Sequence, residues 1–79
     1  MKTINEMRDE IEKRILSSRH NSIFITDDLQ LLWDENFEDW CMVEYNTESE
    51  VIDESFQALG DHLLSIDDDI IKTYYEEQV

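Results

Sequence analysis

The chain has 79 residues, of which 41% are hydrophobic and eight are aromatic, with a formal net charge of −15. That apolar content excludes an acidic disordered tail, the length holds one domain only, and the single Cys41 excludes an internal disulfide and fits a reducing cytoplasm. Surplus negative charge also excludes direct contact with nucleic acid or an anionic membrane, both of which would repel it.

The first segment, 1–19, reads as a charge-balanced helix. It holds five of the six basic residues (Lys2, Arg8, Lys13, Arg14, Arg19) against four acids. Thr3 and Glu6 have the spacing of a capping box, and Ile4, Met7, Ile11 and Ile15 recur at helical intervals. Asp9 with Lys13 and Glu10 with Arg14 have the favourable acid-first order at a separation of four. The start, MKTINEMRDE, lacks the apolar run of a signal peptide. No stretch approaches the roughly 20 apolar residues that cross a bilayer.

Residues 20–46 read as strands. NSIFITDD, LQLLW and DWCMVEY each have period-two character, with Asp27-Asp28 and Asp34-Glu35-Asn36 as turns held by side-chain-to-backbone bonds. The expected arrangement is a three-stranded antiparallel meander with Ile23/Ile25, Leu29/Leu31 and Cys41/Val43/Tyr45 facing inward. Trp40 and Met42 alternate equally well on the third strand, so its inward face stays open.

Residues 47–79 read as two acidic helices packed on the sheet. Thr47 and Glu50 have capping-box spacing, and Ile52, Phe56, Leu59 and Leu63 follow at intervals of four, three and four. Glu50, Asp53, Glu54 and Asp61 then fall on one outward stripe, and Gly60 marks a break or kink. Ser65 caps the last helix, with Asp67 and Asp68 in its first turn, where the helix dipole favours anions. Ile66, Ile70 and Tyr74 face the core, leaving Asp68, Asp69, Glu76 and Glu77 outside. The fold class is therefore α+β: an N-terminal helix, the meander and two C-terminal helices, in a single acidic domain spanning 1–79.

No catalytic set emerges. Cys41 lies mid-strand as a buried apolar thiol, His62 reads as a surface or core-edge histidine, and His20 suits the C-terminal end of the first helix. Asp67-Asp68-Asp69 are consecutive and lack the alternation and central glycine of a calcium loop. The expectation is a protein that is not an enzyme, with no cofactor and no metal site.

The charge is one-sided. Residues 20–79 carry seventeen acids against Lys72 alone. A helix sets carboxylates at i and i+4 about 5–6 Å apart, while duplex DNA carries a phosphate about every 3.4 Å of axis per strand. Such a surface is suited to fill a basic groove built for a nucleic-acid backbone. The expected partner-binding residues are Glu50, Asp53, Glu54, Asp61, Asp68, Asp69, Glu76 and Glu77, extended by Glu38 and Asp39. An immunity protein or antitoxin against a basic nuclease would carry the same charge but centre its interface on aromatic anchors. Trp33, Trp40, Tyr74 and Tyr75 are the candidates for that role, and Tyr75, on the outer side of its helix, is the foremost.

The order of elements, a helix, three strands and two helices with acids on strand edges and late helices, resembles some small phage-encoded anti-CRISPR proteins. The stretch EDWCMVEYNTESEVIDESFQAL is similar to the acidic strand, capped turn and acidic helix of such Cas9 inhibitors. More broadly, the chain is similar to DNA-mimic inhibitors of restriction enzymes and uracil-DNA glycosylase. The resemblance implies a non-catalytic inhibitor acting in the cytoplasm of a bacterial host cell. Its partner would be a basic nucleic-acid-binding protein such as a CRISPR effector or another nuclease. Monomer and dimer are both compatible with the sequence.

Overall fold

The structure, a computed structural model, describes residues 2–78. The elements run α1 (Ile4–Ser17), β1 (Ser22–Thr26), β2 (Leu29–Asp34), β3 (Asp39–Tyr45), β4 (Val51–Gln57), α2 (Leu59–Ser65) and α3 (Asp68–Gln78). All four strands are antiparallel and lie in sequence order. The α+β class and flanking helices agree with the sequence, but the sheet has four strands where three were expected.

The fourth strand is the main correction. The chain reverses after β3 in a loop built on Asn46, whose Oδ1 accepts from the N–H groups of Glu48 and Glu50, both at 2.9 Å. Ser49 completes the reversal in the left-handed region at φ 62. Thr47 and Glu50 are thus part of a hairpin, not the start of a helix. Val51–Gln57 pairs along β3, which satisfies backbone groups that β3 would otherwise leave open as an edge. That gain outweighs the apolar spacing of 52–63, of which only Leu59 and Leu63 are helical core residues.

Helix α1 forms as its sequence predicts. Glu6 N–H donates to Thr3 Oγ1 at 3.2 Å and Thr3 N–H to Glu6 Oε1 at 3.1 Å, closing the capping box. Those two contacts hold the Glu6 carboxyl below its usual range, the Thr3 backbone N–H contributing most. The expected Glu10–Arg14 pair is absent: Glu10 binds Lys2 and the Tyr75 hydroxyl, while Arg14 donates to Gln78 O at 3.3 Å. No Asp9–Lys13 ion pair forms among the described residues.

The core lies between one face of the sheet and the helices. Ile11 and Ile15 of α1, Leu59 and Leu63 of α2, Ile66, and Ile71 and Tyr74 of α3 meet Ile25, Leu29, Leu31 and Trp40. Partner residues in an antiparallel ladder share a face. The pairings Leu31 with Met42 and Trp33 with Trp40 therefore turn Trp40 and Met42 inward, and Cys41, Val43 and Tyr45 outward. Of the two sets left open for this strand, Trp40 and Met42 are the inward one. The two indoles meet edge to face, with centroids 5.9 Å apart, and bulky side chains here span the gap to the helical layer.

Two polar groups lock the layers. His62 is fully buried, not at the surface or core edge. Its Nε2 lies 2.8 Å from the Trp40 carbonyl, which only accepts, so Nε2 carries the proton and Nδ1 accepts from Gln57 Nε2 at 3.2 Å. Helix α2 is thereby tied to β3 and β4. The second lock is Arg8, which binds Leu63 O at 2.8 Å, Ile66 O at 2.7 Å and Asp68 Oδ1 at 2.7 Å. Among the described residues no buried side-chain nitrogen or oxygen lacks a partner.

The remaining expectations about the helices also change. Ser65 ends α2 and donates to His62 O at 2.7 Å; it does not cap α3. Gly60 lies in the first turn of α2 rather than at a break. A Cβ there would lie 3.0 Å from Glu12 Oε2, the mobile end of a side chain on α1. Among the described residues no helix is long and apolar enough to cross a membrane.

Candidate acidic binding surface

The four strands and their connecting loops, residues 22–57, contain eleven Asp and Glu and no Lys, Arg or His. Among the described residues both ion pairs, Lys2–Glu10 and Arg8–Asp68, take their cation from the first eight residues. Among the described residues no acid of the sheet is paired with a base. Two positions accentuate this, because Asp34 stands opposite Asp39 and Glu44 opposite Asp53. Like charges directly across a ladder destabilise it.

The turn acids have local work as well. Asp34 Oδ1 accepts from Asn36 N–H at 2.8 Å and Phe37 N–H at 3.1 Å, which closes the β2–β3 turn. Glu38 follows in the left-handed region at φ 52. Asp39 Oδ1 accepts from Trp40 N–H at 2.9 Å.

The outward helical stripe of Glu50, Asp53, Glu54 and Asp61 does not exist. Glu50 is in the hairpin loop, Asp53 and Glu54 are successive residues of β4, and only Asp61 is helical. Successive strand residues point to opposite faces. Asp53, opposite Glu44, lies on the helix-bearing side, and Glu54, opposite Val43, on the open side. All four remain exposed, but Asp61 lies on α2 beside Asp9 and Glu12 of α1, away from the other three on β4 and its hairpin loop.

On α3, Asp69, Glu76 and Glu77 are exposed as expected, whereas Asp68 is bound to Arg8. Tyr75 is not a free anchor. Its hydroxyl donates to Glu10, which raises the phenol's pKa, and the Arg14 guanidinium lies 5.8 Å from its ring centroid. Trp40 and Tyr74 are core residues and Trp33 is packed against the core.

The structure brings together aromatic residues that the sequence reading passed over. The Phe24 and Tyr45 rings lie 6.3 Å apart, and those of Phe37 and Phe56 only 4.4 Å apart. Both pairs sit on the open side of the sheet, and the Tyr45 hydroxyl is fixed by Gln30 Oε1. A signal existed for Phe24, since an inward Ile23/Ile25 pair forces the residue between them outward. None existed for Phe56 while its segment read as a helix.

Between the aromatic pairs lie Cys41 and Val43, both buried. Burial raises the Cys41 thiol's pKa, and the charges of Glu54 and Asp34 raise it further. A thiol held protonated is a poor nucleophile. Among the described residues no group of three or more His, Cys, Asp or Glu is placed to hold a metal ion. Comparison with protein-family models, with curated proteins and with solved structures gives no match to this chain.

Proposed function

We propose that this protein is a non-catalytic inhibitor that occupies the basic nucleic-acid-binding surface of a target such as a CRISPR effector or another DNA-processing enzyme. The observation that carries the reading is a folded sheet whose eleven acids have no base among them and whose strands oppose carboxylate to carboxylate. Self-repulsion of this kind weakens an isolated domain and is relieved when a partner supplies cations. Complementary potential also speeds association. The acids available for contact are Glu38, Asp39, Glu50, Asp53, Glu54, Asp61, Asp69, Glu76 and Glu77, with Asp68 partly committed to Arg8.

A second reading, neutralisation of a basic nuclease toxin, draws support from the exposed aromatic pairs, which suit an anchored interface. One experiment separates the two: retention of bacterial lysate proteins on the immobilised chain, eluted with rising salt and, separately, with excess duplex DNA. A nucleic-acid enzyme released by both supports the mimic. A nuclease that resists salt and ignores DNA supports the neutraliser. Retention of no basic protein sinks both.

A further inference from the structure

We infer that the open face of the sheet is the docking surface, and that its occupant is a cationic protein segment. That segment sets apolar side chains against the Phe24–Tyr45 and Phe37–Phe56 pairs, and lysine or arginine against Glu54, Asp34 and Asp39. This rests on the reading of a basic partner given above and assigns the contact to one side of the molecule.

The geometry separates this face from the rest. The core unites α1, α2 and α3 with Ile25, Leu29, Leu31 and Trp40 of the opposite face. The open side therefore has no covering layer. On it Phe24 is 55% exposed, Phe37 66% and Phe56 39%, and Val51, opposite Tyr45, adds to the apolar surface. Cys41 and Val43 lie between the two ring pairs as a buried apolar floor. Exposed aromatic pairs grouped on one uncovered face are the kind of apolar surface that marks interaction sites in soluble proteins.

Charge decides what covers it. No strand carries Lys, Arg or His. Glu54 stands across from Val43 on the edge strand β4, and the Asp34–Asp39 pair bounds the end that holds Phe37. A second copy would bring a further −15 and set these same acids against each other. An anionic lipid surface or nucleic acid is repelled for the same reason. A cationic protein segment with apolar side chains satisfies both halves of the surface, and aromatic anchors inside a charged rim are the usual anatomy of a protein interface.

Adjacent residues supply the decisive control, because Asp53 and Glu54 have the same charge and are both exposed but lie on opposite faces. The probes are an amphipathic Lys/Leu peptide of about five helical turns and an oligolysine of equal length. Each is titrated at low salt into the ¹⁵N-labelled full chain, with affinities from calorimetry. The Lys/Leu peptide should shift the amides of Phe24, Cys41, Val43, Tyr45, Glu54 and Phe56, and bind at least about tenfold more tightly than oligolysine.

Phe24→Ser with Phe56→Ser should weaken Lys/Leu binding by about tenfold or more. Glu54→Gln should weaken it severalfold, and Asp53→Asn should not. Should the double phenylalanine variant lose its dispersed spectrum, the shift map and the two acid variants decide alone. Shifts confined to Asp69, Glu76 and Glu77, or equal losses from Asp53→Asn and Glu54→Gln, overturn the docking face while leaving a basic partner in place. Concentration-dependent shifts of the same face without peptide would assign it to a second copy and overturn the proposal. Binding of neither peptide overturns this proposal and the reading on which it rests.

Discussion

Arg8 and Asp68 join the first helix to the last: Arg8 Nη2 donates to Asp68 Oδ1 and to the Ile66 carbonyl, each at 2.7 Å. The two partners are unequal. The Arg8 side chain is 10% exposed and that of Asp68 is 70% exposed. The buried guanidinium serves backbone carbonyls first, and the carboxylate closes the site from outside.

Replacing Arg8 by Met leaves the Leu63 and Ile66 carbonyls without their donor and should cost about 2–4 kcal/mol in urea unfolding. Arg8→Lys should recover only part of this, because a single ammonium cannot reproduce the fork that spans three oxygens. Asp68→Asn should cost less than about 1 kcal/mol, since its exposed pair is screened by water. A loss at Asp68 as large as that at Arg8 would mean that the ion pair, not the carbonyl contacts, holds the junction.

Asp53 stands opposite Glu44, so Asp53→Lys exchanges a like-charge pair for an attractive one. The variant should gain about 0.5–1 kcal/mol in stability. Glu54→Lys, facing Val43, should gain less, because no acid lies directly across from it. The denaturation midpoints of the two variants check this, and equal gains would show that only total charge matters.

Added sodium chloride should raise the melting temperature of the free protein by screening carboxylates that the fold leaves unpaired. A calorimetric series from low to about 1 M salt measures it, over which the screening length falls to about 3 Å. A flat or falling trend would mean that the charges are already compensated.

Two acids should contribute stability through their charge. Glu10 is held below the usual carboxyl range by Lys2 and then by Tyr75, and Glu6 by Thr3. A depressed folded value means that their contribution is fully present above the unfolded glutamate value of about 4.3. It is lost as pH falls through the folded value. Wild type should therefore exceed Glu10→Gln in stability at about pH 6, and the two should converge at about pH 2–3. A constant gap would show that the glutamate acts through packing rather than charge.

Much of the fold was legible locally, because the signals for α1 and the first two hairpin turns reside within a few residues of each other. The Thr3–Glu6 capping box closes as its spacing implies, and Asp34 forms its turn with N–H groups two and three residues ahead. Asp53 and Glu54 show the opposite case. Their residue types established an acidic surface, but the side each occupies depends on whether the backbone is helix or strand.

The amino-acid sequence by itself determined that this is a strongly acidic α+β protein with nearly all its bases at one end. Composition and short-range bonding do not depend on what lies across the core. Only the tertiary structure decided that Val51–Gln57 is a strand, because its backbone pairs with β3 across the Asn46 loop and that pairing leaves no mark in the apolar spacing of 52–63. The same pairing settled that Trp40 faces the helices and Cys41 the open side, since one residue of register inverts every side chain. It is that inversion, together with helices on one side alone, that leaves the aromatic pairs uncovered beside unpaired carboxylates.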